Sequence, residues 1–256
     1  MQRPEPPLRL VISAGLMLLL CVACSATPAR TSAGPRVLTL EGRANLGLAE
    51  NYLAQKQTAR ALEYAQKAEG SDPNSANVQL MLAMVYQAAG DERKAERSLD
   101  KAMKLAPTAG AVLNVHGAWL CEHGHPDQAD AEFIRAMRDP NYQDPMQILS
   151  NAGKCALQAK RLERAEGYFR QALESAPEDQ QLLYLLAETE FRQGKLLEAR
   201  AFAQRRDALG ADAATLALSS RIEEAAGDQM AAARYRQRLH EQFPDYLPTA
   251  EGPKAP

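Results

Sequence analysis

Residues 76–109 read ANVQLMLAMVYQAAGDERKAERSLDKAMKLAPTA, and the same order of residue types recurs before and after this stretch. Subtracting Pro73 from Pro107 gives 34, and the same interval separates Ala61 from Ala95. The stretch carries its diagnostic residues at Leu82, Ala83, Tyr86, Gly90, Ala95, Leu99, Ala102 and Pro107. A period of this length indicates a unit of two helices, which must stack on its neighbours to bury its apolar faces.

Working outward from this segment, we predict further units on both sides. The units begin at residues 42, 76, 110, 146, 180 and about 213. Asp144 and Pro145 lengthen the connection after the third unit, and Arg206 stands in the fifth unit where a small residue is expected. The pattern resembles the tetratricopeptide repeat. This resemblance implies an all-α fold, a superhelix of about six helix-turn-helix repeats with a groove for another polypeptide.

The composition agrees with a helical protein that binds other proteins. Aromatic residues make up 5% of the chain, and β-branched residues form no run of strand length. The formal net charge of -2 lacks the basic excess that nucleic-acid binding requires. We expect protein partners, and we expect no nucleic acid, small-molecule substrate or cofactor.

The first 24 residues have the features of an export signal. Arg3 and Arg9 precede an apolar run from Leu10 to Ala23, which at 14 residues is short for a transmembrane helix. The residues before Cys24 resemble a bacterial lipoprotein processing site. This resemblance implies a signal peptide over residues 1–23 and a lipid on Cys24. An ordinary signal peptide with cleavage nearby is the alternative.

The lipoprotein resemblance also implies a location and a domain layout. Ser25 after the lipidated cysteine is typical of sorting to the outer membrane, where several acyl chains would anchor the protein at the periplasmic face. Residues 24–41 are predicted to form the lipidated N-terminus and a flexible tether. Residues 42–246 are predicted to form the solenoid, and residues 247–256 a disordered tail.

Two further cysteines fall in the repeats. Cys121 and Cys155 lie on the first helices of adjacent repeats, which pack side by side, so we predict a disulfide in an oxidising periplasm. Closing this loop would add on the order of 3 kcal/mol. The alternative is a pair of buried free thiols that act as small hydrophobic side chains.

The sequence contains no constellation that indicates catalysis. His123 and His125 flank a glycine in the turn of the third repeat, and no ligand cluster stands near them at metal-binding spacing. His116 falls at a position that is normally part of the core. We therefore expect neither a metal site nor an enzyme.

The function is predicted to reside in the groove between the first helices. Four positions of each first helix line this surface in tetratricopeptide folds, and we predict that partners are bound by Leu46, Glu50, Leu53, Leu80, Met84, Gln87, Asn114 and Ala118. We expect Leu46→Glu and Leu80→Glu to weaken partner capture without unfolding the chain. The alternative is that residues 37–40 of the same chain cover the groove of the first repeat.

A more specific family resemblance comes from segments that the repeat pattern does not require. These are LNVHGAWLC at 113–121, DPNYQDP at 139–145 and NAGKC at 151–155. Together with the lipoprotein leader and the terminal Phe-Pro at 243–244, they resemble the type IV pilus biogenesis and stability lipoproteins, the PilF/PilW pilotin family. Relatives commonly carry Tyr where this chain has His116.

The resemblance implies a role in envelope assembly. Members of the family assist the outer-membrane localisation and multimerisation of the type IV pilus secretin, so the expected partners are the secretin or its accessory proteins. The alternative is a tetratricopeptide lipoprotein that serves another envelope assembly, such as outer-membrane protein insertion or wall synthesis.

Overall fold

The computed structural model describes residues 38–246, which form twelve α-helices and no strand. In chain order the helices are α1 Leu40–Ala54, α2 Thr58–Ser71, α3 Ala76–Ala88, α4 Glu92–Leu105, α5 Gly110–Glu122, α6 Pro126–Ala136, α7 Pro145–Gln158, α8 Leu162–Ser175, α9 Gln180–Arg192, α10 Leu196–Ala208, α11 Ala213–Ala225 and α12 Gln229–Gln242. They form six consecutive pairs, which confirms the predicted all-α repeat superhelix.

The turn within each pair uses one residue in the left-handed region. Glycine fills this position in four of the repeats, for example Gly90 with φ 74° and Gly124 with φ 80°. Lys56 and Lys160 take the same position in the first and fourth repeats with φ 59°. A side chain in this region costs about 1 kcal/mol or more relative to glycine, so the two lysine turns are held by their flanking helices.

Within each pair the two helices approach closely through small residues. In the third and fourth repeats the contact pairs a glycine with a phenylalanine: Gly117 with Phe133, and Gly153 with Phe169. A Cβ added to Gly153 would lie 2.4 Å from Cε1 of Phe169. In the second repeat, alanine and leucine occupy the equivalent positions, so the volumes compensate from one repeat to the next.

The core is divided into clusters along the solenoid. Each cluster joins one helix pair to the first helix of the next repeat, as Val112 of α5 packs with Leu80 and Leu99 of the second repeat. Such nearest-neighbour burial is what makes a single repeat unstable alone and a stack stable.

The first helices form the tighter side of the superhelix. Each first helix contacts the next first helix, whereas successive second helices within residues 38–246 make no backbone-level contact. Long side chains bridge that gap instead: Arg135 donates to the Pro107 carbonyl at 3.0 Å and Arg205 to the Pro177 carbonyl at 2.7 Å. The inner, concave surface is therefore built from α1, α3, α5, α7, α9 and α11.

The lengthened connection 137–144 packs back on the third repeat. Asp139 accepts a hydrogen bond from the Gly110 backbone N–H at 2.6 Å, at the start of α5, where Ala109 provides no side-chain cap. The Tyr142 side chain lies against Gly110, since a Cβ added to Gly110 would lie 2.8 Å from Cβ and 3.0 Å from Cγ of Tyr142.

The anomalous Arg206 has a structural role. Its side chain is buried, and its guanidinium donates to the Gly210 carbonyl at 2.6 Å and to the Asp212 carboxylate at 3.0 Å. Asp212 also caps α11, so Arg206 joins the end of the fifth repeat to the start of the sixth.

Several predictions concern residues outside the described range: the signal peptide over residues 1–23, Cys24, most of the tether and the tail over residues 247–256.

The first helix begins at Leu40, two residues before the predicted start of the solenoid, because Thr39 caps it through a hydrogen bond from the Gly42 N–H at 2.9 Å. Among the described helices, none combines the length and hydrophobicity that crossing a bilayer would require.

Candidate partner-binding surface

We use the term inner face for the stripe of each first helix that turns away from its own second helix. On α7 this stripe holds Gln147, Ser150, Asn151 and Lys154, all at least partly exposed, while Ile148 and the other core residues lie on the opposite side. The same spacing of three and four residues repeats on each first helix. The inner face thus extends over all six repeats.

In the first two repeats, the predicted groove residues divide into buried and exposed sets. Leu46 and Leu80 are only 8% and 6% exposed, because the first helix of the following repeat packs against them. Glu50, Met84 and Gln87 are exposed, Met84 to 39%. The expectation that glutamate at 46 or 80 would leave the fold intact is wrong, since it would place a charge in the core.

The remaining predicted groove residues are less accessible. Leu53 and Ala118 are half-buried, and Asn114 is 3% exposed. Leu38 packs against the core cluster of the first repeat, whereas Leu40 is 87% exposed. The chain's own residues thus cover part of the first repeat at its edge and leave Glu50 and Met84 uncovered.

A polar network occupies the inner face between the third and fourth repeats. Asn114 accepts a hydrogen bond from the Asn151 carboxamide at 3.1 Å and donates to the Tyr142 hydroxyl at 3.3 Å. Tyr142 in turn donates to the Gln147 carboxamide at 2.7 Å, and burial raises the pKa of its phenol. The lengthened connection therefore reaches the inner face through Tyr142.

Lys154 lies one turn beyond this network and is half-buried. Burial lowers the pKa of its ammonium group, and only Asp179 opposes this effect. Glu50 and Met84 occupy the same repeat position in the first two repeats. Aligning the repeats by sequence therefore identifies Lys154 as a residue of the inner face.

The inner face of the fifth and sixth repeats is aromatic and carries paired charges. The Arg221 guanidinium lies over the Phe191 ring at 4.8 Å and 3.8 Å from the Glu188 carboxylate. Arg192 pairs with the same carboxylate at 2.7 Å. Burial and the neighbouring Glu188 raise the pKa of the Tyr184 phenol. Cations here are neutralised within the molecule.

The structure brings Cys121 and Cys155 together. Their Cα atoms lie 5.7 Å apart and their sulfurs at bonding distance, 2.12 Å, between α5 and α7. This placement is compatible with a disulfide. The oxidation state in the cell stays a prediction. A count of free thiols on the unfolded, unreduced protein tests it, and two titratable thiols would contradict it.

Two of the three histidines of the third repeat, His116 and His123, lie beside Trp119. The His123 ring stacks on the indole with centroids 4.0 Å apart, and His116 Nδ1 lies 3.6 Å from the Glu132 carboxylate. Within residues 38–246, no group of three or more potential metal ligands is found. These contacts account for the two histidines as packing residues.

Comparison with known proteins agrees with this architecture. Two tetratricopeptide repeat models match the chain, one over residues 42–117 and the other over residues 120–179 and 157–214. The chain belongs to the tetratricopeptide repeat family.

Within that family, the chain is homologous to a protein of pilus assembly. It is 26% identical over 247 residues to the type IV pilus assembly protein PilF of Pseudomonas aeruginosa, an alignment that covers 93% of this chain and 96% of the relative. Its fold is similar to that of PilW, a type IV pilus biogenesis factor, with a TM-score of 0.75, 26% identity, and coverage of 81% of this chain and 96% of the other. The solved Pseudomonas aeruginosa PilF gives a TM-score of 0.69 at 25% identity, with 81% and 94% covered. The predicted resemblance to the PilF and PilW pilus biogenesis factors is thereby confirmed. The homology supports a role in pilus biogenesis.

Proposed function

We propose that this protein is a pilotin: a lipid-anchored escort that binds the type IV pilus secretin and assists its outer-membrane localisation and multimerisation. The observation that carries the proposal is the alignment with PilF, which spans 93% of this chain and 96% of the relative. Agreement over the full repeat array is more specific than a shared repeat pattern, because tetratricopeptide arrays vary in repeat number and connections.

The inner face provides the surface that such an escort needs. Exposed Met84 lies among the polar side chains of Glu50 and Gln87, and the small, half-buried Ala118 lies on the next first helix, α5. An apolar contact with a polar border fits an amphipathic helix or an extended segment of a partner. Binding of this kind needs no chemical step, so the proposed role is that of a scaffold and not of an enzyme.

The lipid supplies the location. In the proposal, Cys24 becomes the acylated first residue of the mature protein, and residues 25–37 span the distance from the membrane surface to α1. The anchor keeps the secretin segment near the outer membrane and so raises its effective concentration there.

The substitution Cys24→Ala tests this part. We expect the variant to keep the helical content of the wild type, to leave the outer-membrane fraction, and to lower the amount of secretin multimer in that fraction. The measurements are membrane fractionation and electrophoresis of heat-resistant multimers. Normal secretin assembly with a mislocalised variant would contradict the role of the lipid. Co-purification of barrel-assembly or wall enzymes, in place of the secretin, would favour another envelope scaffold.

A further inference from the structure

Lys154 differs from the other cations on the inner face of the fourth to sixth repeats because it has no ion-pair partner among residues 38–246. Arg192 and Arg221 both pair with the buried Glu188 carboxylate. Within residues 38–246, Lys154 makes no ion pair or hydrogen bond, although its side chain is half-buried. The Asp179 carboxylate attracts the Lys154 ammonium group from a distance. One oxygen of Asp179 already accepts a hydrogen bond from the Leu182 N–H at 2.8 Å.

An ammonium group in this position has lost part of its hydration without gaining an anion. Partly buried charges in proteins are usually paired, because a counter-charge offsets the loss of water. The lowered pKa of Lys154 is the expected mark of that uncompensated burial. The interaction of a ligand carboxylate with Lys154 would therefore be stronger than its interaction with a fully solvated lysine.

The surroundings define the shape of the ligand. Lys154 belongs to the fourth of six repeats, so the inner face continues on both sides of it. Asn151 lies one turn earlier on α7, and the half-buried Tyr184 is on α9. A polypeptide that follows the row of first helices crosses Lys154 in the middle of its bound length and not at its end.

We propose that Lys154 binds the side-chain carboxylate of an Asp or Glu within an extended segment of the partner that lies along the inner face. This inference rests on the proposed function, because it names the chemistry of the segment that the escort recognises. The segment then carries at least one acidic residue at the place that meets the fourth repeat.

The test compares Lys154→Met, Lys154→Arg and the control Lys104→Met, which removes an exposed lysine from the last turn of α4. The probes are the purified periplasmic part of the pilus secretin from the same organism and overlapping 20-residue peptides from it. We expect Lys154→Met to weaken binding about tenfold at low salt, and Lys154→Arg and Lys104→Met to bind within about twofold of the wild type. We also expect Lys154→Met to be at least as stable as the wild type to heat, since a desolvated charge is removed, whereas a structural role would lower its stability.

Exchange of single acidic residues in the bound peptide completes the test. Replacing the contacting Asp or Glu by its amide should weaken binding to the wild type and have no effect on Lys154→Met. Equal affinity of Lys154→Met and the wild type would overturn the inference and leave the proposed function intact. The inference would also be overturned if binding were weakened only by amidation of the peptide's C-terminal carboxylate and not by exchange of an Asp or Glu side chain. Failure of the wild-type protein to bind the secretin at all would overturn both.

Discussion

Single residues set the spacing of the two helices in each repeat. Where the second helix carries Phe133 or Phe169, the first helix carries Gly117 or Gly153. The two rings are fully buried, so a shift of either ring would disturb the side chains packed around it. Size compensation at this contact lets repeats of different composition keep one inter-helix distance.

The substitution Gly153→Ala tests the contact. Alanine favours helix by about 1 kcal/mol over glycine, yet its Cβ would overlap the Phe169 ring, so we expect a net loss of about 1–2 kcal/mol in the free energy of unfolding. Chemical denaturation measures it. The control is Gly167→Ala on α8, where an added Cβ meets nothing within 4 Å and a gain of up to about 1 kcal/mol is expected.

The double variant Gly153→Ala with Phe169→Leu reproduces the alanine-leucine contact of the second repeat. We expect it to be more stable than the sum of the two single changes, by about 1 kcal/mol. Strict additivity would contradict the account of size compensation.

A second residue-scale feature is the buried Glu190. Burial and the nearby Glu166 and Glu198 together raise its pKa to about 7, and the ion pair with Arg170 only partly offsets their effect. One of its carboxylate oxygens has no hydrogen-bond partner among the described residues. The folded state thus binds a proton more tightly than the unfolded chain, in which the pKa is near 4.5.

The contribution of Glu190 to stability depends on pH with a defined sign. Because the folded pKa is raised, the contribution is greatest below about pH 4.5 and falls as the pH rises to about 7. At pH 8 we expect the free energy of unfolding of Glu190→Gln to be about 2 kcal/mol higher than that of the wild type. Near pH 4.5 we expect the two values to be equal. Denaturation at both pH values measures the difference. The exposed Glu96→Gln on α4 is the control, and a pH-independent effect of Glu190→Gln would contradict this account.

At the scale of elements, the lengthened connection 137–144 completes a helix that its own sequence leaves uncapped. Asp139 accepts from the Gly110 N–H at the start of α5, in place of the Ser, Thr or Asp that caps each of the other five first helices. The Gly110 and Asn141 N–H groups hold the pKa of Asp139 below its usual value. The segment DPNYQDP at 139–145, one of those that carry the family resemblance, thus has a structural role at the start of α5.

The substitution Asp139→Ala should lower the free energy of unfolding at pH 7 by about 1 kcal/mol, the usual cost of losing a helix cap. Because the folded pKa of Asp139 is lowered, the stabilisation is present above about pH 3.8 and is lost as the pH falls further. Thermal unfolding at pH 7 and pH 3 measures this. Adding Ala109→Asp, at the extended residue before α5, should restore the cap, and no rescue would contradict the assignment.

Much of the element pattern could be predicted from the sequence. The 34-residue period, the small residues at Ala61 and Ala95, and the turn glycines determined six helix pairs and their order, because each reports a local steric requirement. The burial of Leu46 and Leu80 could not be predicted, since it depends on how closely the next first helix packs. Arg206 also departed from the pattern, because its partners lie in a turn that the repeat does not specify.

At the scale of the whole molecule, the contacts between successive first helices and the gap between second helices produce a curved stack. The curvature places Met84, Lys154 and Arg221 on one continuous inner face, although they belong to three different repeats. A partner segment that binds along this face would contact several repeats at once, which favours an extended ligand over a compact one.

The most direct test of the central claim is the affinity of the purified protein for the pilus secretin, measured with Met84→Glu and the control Met230→Glu. Met230 is 76% exposed on α12, a second helix away from the inner face. We expect the wild type and Met230→Glu to bind alike, and Met84→Glu to bind at least tenfold more weakly with an unchanged melting temperature. Equal binding by Met84→Glu, or no binding of the secretin by the wild type, would contradict the account.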